Sequence, residues 1–264
     1  MRFVYFTKLL RGQDIPGIIA FLKDVGVDGA DLAVRPGYPV TPDNAAAELP
    51  KAAKAFRDAG LVIGLVTAPT DLTDAGSAAA RTVFEAAARA GVPAVKIGYF
   101  PYRGKFDAEL AEARRRLAGF AKLAERTGVK ACYHPHSGND LGNNAAGLRL
   151  LLRELDPHHV GAFVDTGHTA INGGPIRYEL DIVRPWLSLL AIKDMAWEKA
   201  KGGWQYHVVP AGEGIVRWDG VAAGLKDVRF NGTVSLHGEY ETKDLDERKA
   251  LARRELALLR KVMG

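Results

Sequence analysis

The sequence predicts a (β/α)8 barrel. Three observations carry that expectation: a repeated helix–glycine–strand unit, eight short apolar runs alternating with helical patterns, and polar residues gathered where those runs end. Four segments share the unit: Lys23-Asp-Val-Gly26-Val-Asp-Gly-Ala-Asp-Leu32, Arg57-Asp-Ala-Gly60-Leu-Val-Ile-Gly-Leu-Val66, Ala88-Arg-Ala-Gly91-Val-Pro-Ala-Val-Lys-Ile97 and Glu125-Arg-Thr-Gly128-Val-Lys-Ala-Cys-Tyr-His134. In each, an amphipathic helix ends in charged residues. A glycine then takes the position where helices turn left-handed. A nearly continuous apolar run follows, as expected of a parallel strand covered on both faces.

Extended along the chain, this grammar gives strands at 2–6, 29–34, 61–66, 93–98, 129–134, 160–165, 187–193 and 232–237. Helical patterns fall at 14–25, 42–59, 76–90, 106–127, 143–154, 175–184, 217–227 and 243–262, with Pro42 and Pro175 near two of the starts, where a missing N–H costs little. Strict alternation favours parallel strands joined by right-handed crossovers. An open doubly wound sheet is the rival, but no Gly-x-Gly-x-x-Gly loop follows the first strand. The chain of 264 residues suits one barrel, and no linker or low-complexity stretch divides it, so one domain over 1–264 is expected.

Composition narrows the function classes. Hydrophobic residues make up 47% of the chain, enough for a full core, yet no apolar run approaches the ~20 residues of a membrane span. The start, Met1-Arg-Phe-Val-Tyr-Phe-Thr-Lys8, lacks a signal-peptide apolar region. The single cysteine, Cys132, allows no internal disulfide and sits in an apolar run, so it reads as a core residue in a cytoplasmic protein. The net charge of +5 is spread over many segments, and Arg114-Arg115-Arg116 lies beside Glu109 and Glu112 in a helical pattern. These arginines read as a solvated helix face, and no basic stripe marks a nucleic-acid partner.

In a barrel of this kind, chemistry sits where strands run out into loops. The strand ends here carry Lys8, Arg35, Lys96 and Tyr99, then His134-Pro-His136, Asp165-Thr-Gly-His168, Lys193-Asp194 and His237-Gly-Glu239-Tyr240. Gathering so many polar groups costs stability, so their convergence points to function. Residues two apart on a strand share a face, so His134 with His136, and His237 with Glu239, can enter one cavity. Imidazole and carboxylate are metal ligands, and histidine also carries protons near neutral pH. Lys8, Arg35, Lys96 and Lys193 supply positive charge for an anionic or oxyanionic substrate, with ion pairing across the barrel mouth as the alternative. The loop Val209-Pro-Ala-Gly-Glu213-Gly lacks the Lys-Ser/Thr of a phosphate loop and reads as a tight turn, with Glu213 taken as a lining residue. Trp197, Trp204, Tyr99, Tyr102 and Tyr240 are expected to offer a stacking surface for a sugar.

Four of these segments, Phe163-Val-Asp165-Thr-Gly-His168, Ile192-Lys193-Asp194, Pro210-Ala-Gly-Glu213-Gly and Ser235-Leu-His237-Gly-Glu239-Tyr240, resemble the sugar-phosphate isomerase/epimerase family, the xylose-isomerase-like TIM barrels. Phe6-Thr7-Lys8, Asp31-Leu-Ala-Val-Arg35-Pro-Gly and Tyr133-His134-Pro-His136-Ser-Gly look like one branch of it. The resemblance spans nearly the whole chain. It implies a divalent metal (Mn, Mg or Zn) held by Glu, Asp, His and Glu from strands five to eight, with carboxylates moving a proton through an enediolate. Carried over position by position, those ligands fall on His134, Asp165, Ala191 and His237. Ala191 can ligate nothing. His134, Asp165 and His237 then form the expected metal set, with Glu239 or His136 able to complete it; the alternative is a branch in which Lys193 and the histidines act without metal.

The expected activity is isomerisation or epimerisation of a sugar or polyol by proton abstraction next to a carbonyl, with β-elimination from a keto-sugar or keto-glycoside as its relative. His134 or His237 is the expected base, Lys193 the stabiliser of the enediolate oxygen, and Glu239 a further catalytic group. Lys8, Arg35, Lys96, His136, His168 and Glu213 are the expected substrate-binding set. Abasic-site endonucleases share the resembled fold, but Ala191 and the two histidines argue against their multi-metal chemistry. A non-catalytic carbohydrate-binding protein is the third class. The expected partner is a small sugar-type molecule, with no nucleic acid and no membrane; a homo-oligomer is left open.

Overall fold

The computed structural model describes residues 1–263. Eight parallel strands close into a barrel: Arg2–Phe6 (β1), Gly29–Ala33 (β2), Val62–Thr67 (β3), Ala94–Lys96 (β4), Lys130–Tyr133 (β5), Val160–Asp165 (β6), Leu187–Ile192 (β7) and, last in the chain, Thr233–Leu236 (β10). Each pairs with its sequence neighbour, and β1 closes the ring against β10, with Tyr5 opposite Leu236. The helices are Ile15–Val25 (α1), Ala45–Asp58 (α2), Ala78–Ala90 (α3), Phe106–Thr127 (α4), Ala145–Leu152 (α5), Thr166–Asn172 (α6), Ile176–Ile182 (α7), Trp218–Asp227 (α8) and Leu245–Met263 (α9). No helix among the described residues is long and apolar enough to cross a membrane.

The repeated glycines behave as the sequence predicts. Gly26, Gly60, Gly91 and Gly128 have φ between 70° and 84°, and a Cβ on any of them would meet nothing within 4 Å. Their requirement is therefore conformational, not steric. Each stops a helix and sends the chain into the next strand.

The main core lies between barrel and helices, with Phe21, Phe56, Phe84 and Phe120 fully buried there. A second, smaller cluster fills the barrel interior: Val4, Leu65, Ala94, Cys132, Phe163, Leu189 and Ala191. It plugs the barrel below the strand ends and forms the floor on which the polar residues stand. Cys132 belongs to this plug, and burial pushes its thiol up to about 12. Iodoacetamide at pH 8 is accordingly expected to leave Cys132 of the native protein unlabelled and to react only in denaturant. Stoichiometric labelling of native protein would overturn this placement.

Two elements depart from the sequence expectation. The stretch after β7 is not loop: Asp194–Ala200 (β8) and Gly203–Val209 (β9) form an antiparallel hairpin, with Trp197 opposite Tyr206. The Asp165-Thr-Gly-His168 segment, expected to run out as loop, starts the short helix α6.

Candidate active site

The strand ends surround one cavity of about 100 Å³, small beside the roughly 300–1,000 Å³ of typical small-molecule sites. Lys8, Arg35, Lys96, His134, His136, Lys193, His237 and Glu239 line it, together with Phe6, Thr67, Tyr99 and Phe163. Most of the residues expected to line the site therefore do so, although they come from six different strands or the segments that follow them.

Strand six and its helix set the centre. Asp165 is the N-cap of α6: Oδ1 accepts the His168 N–H at 2.9 Å, which leaves Oδ2 buried without a hydrogen-bond partner. Thr166 Oγ1 bonds both the carbonyl and the N–H of Lys193, at 2.7 and 3.0 Å. Gly167 has no side chain because a Cβ would lie 3.1 Å from Lys193 Cγ and from Met195 Cγ. Together these residues seat the Lys193 stem against the start of the helix. Its Nζ then stands 2.8 Å from Glu239 Oε1, 3.2 Å from His168 Nε2 and 3.8 Å from Asp165 Oδ2. Burial alone would lower the lysine's pKa, but Asp165 and Glu239 outweigh it and raise it above the ordinary value. The group is an ammonium ion in a nearly closed site. Glu239, despite its burial, is held well below the usual carboxylate range by Lys193, His237 and Lys8.

From Lys193 a chain of hydrogen bonds leads outward. His168 Nδ1 is 2.6 Å from Ser137 Oγ, which in turn donates to Tyr206 Oη at 3.1 Å on the half-exposed face of β9. Nδ1 also accepts the Ser137 backbone N–H at 3.2 Å, so Ser137 occupies that nitrogen and Nε2 is the ring atom turned to the ammonium. Burial pushes the His168 pKa down to about 3, which keeps this ring neutral. His168 thus lies behind Lys193 and does not line the cavity; its expected role as a substrate ligand is corrected to support of the lysine.

The two candidate bases differ. His134 Nδ1 faces the Phe163 carbonyl at 3.1 Å, and its Nε2 lies 3.6 Å from Asp165 Oδ2. Burial, then His237, Lys96, His168 and Lys193, push its pKa well below the ordinary value. His237 instead stacks on Phe6, with ring centroids 4.4 Å apart, and directs Nε2 to Asp31 Oδ2 at 3.3 Å. With Nε2–H donating to Asp31, Nδ1 carries a lone pair. That atom is buried, has no hydrogen-bond partner, and sits 3.7 Å from Glu239 Oε1. Asp31 is fully buried and also accepts from Thr67 at 2.5 Å and Ser235 at 2.9 Å, so its orientation is fixed. Sequence reasoning did not single out Asp31; its signal is a carboxylate inside the apolar run of β2.

Lys96 is buried, its Nζ has no hydrogen-bond partner, and it stands 3.6 Å from the centroid of Tyr99. Burial and then Arg35 push its pKa well below the ordinary value. Arg35 is held by the Ala68 carbonyl at 3.2 Å, and Lys8 pairs with Glu239. Glu213 corrects the expectation: it is half-exposed, pairs with Arg254 at 2.5 Å, and does not line the cavity. Asp194 next to Lys193 is structural. Its two oxygens accept from the backbone of Met195, Gly212, Gly214 and Val216 and from the Trp218 indole, clamping the glycine-rich loop. Trp197 and Trp204 lie exposed on the hairpin; of the expected stacking aromatics only Tyr99 lines the cavity.

Among the described residues, a group of metal-ligating type is present: His134, Asp165 and His168, whose donor atoms all lie within 4.8 Å of one another. His237, the expected third ligand, is not in this group and His168 takes its place. The partnerless Oδ2 of Asp165 is the kind of atom a cation satisfies. The cation beside it, however, is the Lys193 ammonium, which also faces the only free nitrogen of His168. With Lys193 in this position the residues present do not fit a divalent ion.

The comparisons agree with this architecture. The family model described as xylose isomerase-like TIM barrel matches residues 19–262. A curated inosose dehydratase from Lactiplantibacillus plantarum is 34% identical over 68 residues, a match spanning 26% of this chain and 22% of that protein's length. Among solved structures, a D-psicose 3-epimerase from Clostridium cellulolyticum H10 superposes with a TM-score of 0.78 at 16% identity, covering 100% of both chains. A 3-keto-D-glucoside 4-epimerase from E. coli gives 0.76 at 17% identity over 99% of each chain. A probable 3-DHS dehydratase from Bacillus anthracis gives 0.76 at 18%, over 98% of this chain and 99% of that one. The closed barrel, the strand-end cavity and the family match over almost the full length lead to one conclusion: the chain belongs to the xylose isomerase-like TIM barrel family.

Proposed function

We propose that this protein is a sugar or polyol isomerase/epimerase that removes a proton from the carbon next to a carbonyl. The observation that carries the reading is the pairing of a free imidazole nitrogen with a buried ammonium across one cavity: His237 Nδ1 and Lys193 Nζ both lie beside Glu239 Oε1, at 3.7 and 2.8 Å. His237 Nδ1 takes the proton, and the C–H electron pair moves into the carbonyl, leaving an enediolate. The Lys193 ammonium stabilises the new oxyanion, a role that needs a fixed charge in a water-poor site. Asp31 and Glu239 flank the imidazolium that forms. Returning the proton to the former carbonyl carbon, with the neighbouring hydroxyl proton passing to the oxyanion beside Lys193, isomerises the substrate; protonation of the original carbon on its opposite face by a second acid, water or a lining side chain, while His237 keeps the first proton, epimerises it. Lys8, Arg35 and Lys96 line the same mouth and favour a substrate rich in oxygen atoms or carrying negative charge. The solved relatives named as epimerases support the reading, as does the fold they share with this chain.

A second outcome of the same first step is loss of a β-hydroxyl as water, favoured by the partial match to an inosose dehydratase. One experiment addresses both. Keto-sugars, aldoses, keto-glycosides and cyclitol ketones are incubated with the protein in D2O. An isomerase or epimerase incorporates deuterium at the carbon next to the carbonyl and yields an isomeric product. A dehydratase yields an unsaturated ketone with ultraviolet absorbance. A panel showing neither exchange nor turnover overturns the proposal.

A further inference from the structure

We infer that the Lys193 ammonium stands in for the divalent cation of the fold family, and that removing it uncovers a latent metal site made of His134, Asp165 and His168. The argument is geometric. These three side chains bring donor atoms within 4.8 Å of one another, close enough for small side-chain movements to place them on a single ion. The ammonium is 3.2 Å from His168 Nε2 and 3.8 Å from Asp165 Oδ2. An ion bonded to them at the ~2.0–2.2 Å usual for nitrogen and carboxylate ligands would share their lone pairs with a like charge a few ångströms away.

Charge count points the same way. The carboxylates around the cavity are Asp31, Asp165 and Glu239, and the basic side chains opposite them are Lys8, Arg35, Lys96 and Lys193. A divalent ion added to this set, in which basic groups already match or outnumber the carboxylates, would leave positive charge unneutralised in a site where Lys193 and Asp165 are nearly or fully buried. Ala191, buried in the barrel plug on the strand that leads into Lys193, offers no donor to offset that excess. The stem of the lysine is also built into place: Thr166 grips its backbone and Gly167 makes room for its Cγ. The cation is therefore covalently attached to β7 instead of being recruited from solution. Its charge is smaller than a metal's, and it cannot be removed by a chelator.

The test needs no substrate, so its outcome is separate from that of the catalytic reading. Co2+ and Zn2+ are titrated into full-length wild type and into Lys193→Met and Lys193→Gln. Calorimetry and the visible absorption of Co2+ report binding, and circular dichroism confirms that each variant folds. Wild type is expected to bind neither ion stoichiometrically. The variants are expected to bind one equivalent at least ~100-fold more tightly, because a like charge has gone and three nitrogen and oxygen donors remain. Adding Asp165→Asn to Lys193→Met is expected to abolish that gain. Stoichiometric, chelator-reversible binding by wild type overturns the inference, and so does a folded variant that binds no better than wild type. If both variants fail to fold, metal content of wild type purified from Zn2+- and Mn2+-supplemented cells decides: one equivalent retained sinks the idea, and none retained upholds it.

Discussion

Replacing His237 with alanine is expected to lower the rate of solvent-deuterium exchange on the best substrate by about 10²–10⁴-fold, the usual contribution of a positioned general base. The expectation rests on which ring nitrogen is free. Nε2 is committed to Asp31, so Nδ1 is the only basic atom, and it has no other hydrogen-bond partner. The same logic makes Asp31 a positioning residue with its own signature. In Asp31→Asn the amide can donate to Nε2, which forces the hydrogen onto Nδ1 and presents the wrong tautomer to the substrate. That variant should keep its fold and its substrate affinity while losing kcat, and it should shift the acidic limb of the pH–rate profile. His134→Ala is expected to cost less, because burial and neighbouring cations already disfavour a proton on that ring. Full activity in His237→Ala together with loss in His134→Ala would reverse the assignment of the base.

How much of this was legible beforehand depends on the residue. The barrel was, because the left-handed glycines and apolar runs are local signals repeated many times. The lining lysines and histidines were too, because strand ends in a barrel converge by topology alone. Direction of side chains was not. Glu213 sits in a motif beside the mouth, yet its carboxylate turns outward to Arg254. His168 follows Asp165 by three residues, but the helical turn that Asp165 caps swings it behind Lys193. The partnership of Asp31 with His237 joins residues 206 positions apart through barrel closure, which no local pattern encodes. Even so, a carboxylate within Gly29-Ala-Asp31-Leu-Ala33 was a visible anomaly, since a buried charge needs partners. The hairpin was readable as well. Lys201-Gly202 separates two runs of alternating large and polar residues, a pattern for a two-residue turn.

Glu255 makes a contribution to stability that falls as pH rises from about 5 to about 7, opposite in sign to that of the buried neutral rings of His134 and His168. Glu255 lies on α9, only 4% exposed, and burial outweighs the Ala211 N–H and Arg254 to push its carboxyl up to about 7 from an ordinary 4.5. A glutamic acid whose folded pKa lies above its unfolded pKa holds more protons in the folded state throughout the interval between the two values. The contribution of this group to stability then decreases with rising pH across that interval and is level on either side of it. At 1.36 kcal/mol per unit, the full penalty above the folded pKa is about 3 kcal/mol. Glu255→Gln keeps an oxygen for the Ala211 N–H and never ionises. It should therefore match wild type near pH 4.5 and be more stable by up to about 3 kcal/mol at pH 8. Urea midpoints of both proteins, measured at several values between pH 5 and 8, provide the check. Parallel curves across that range would show that this carboxyl ionises alike in folded and unfolded chains.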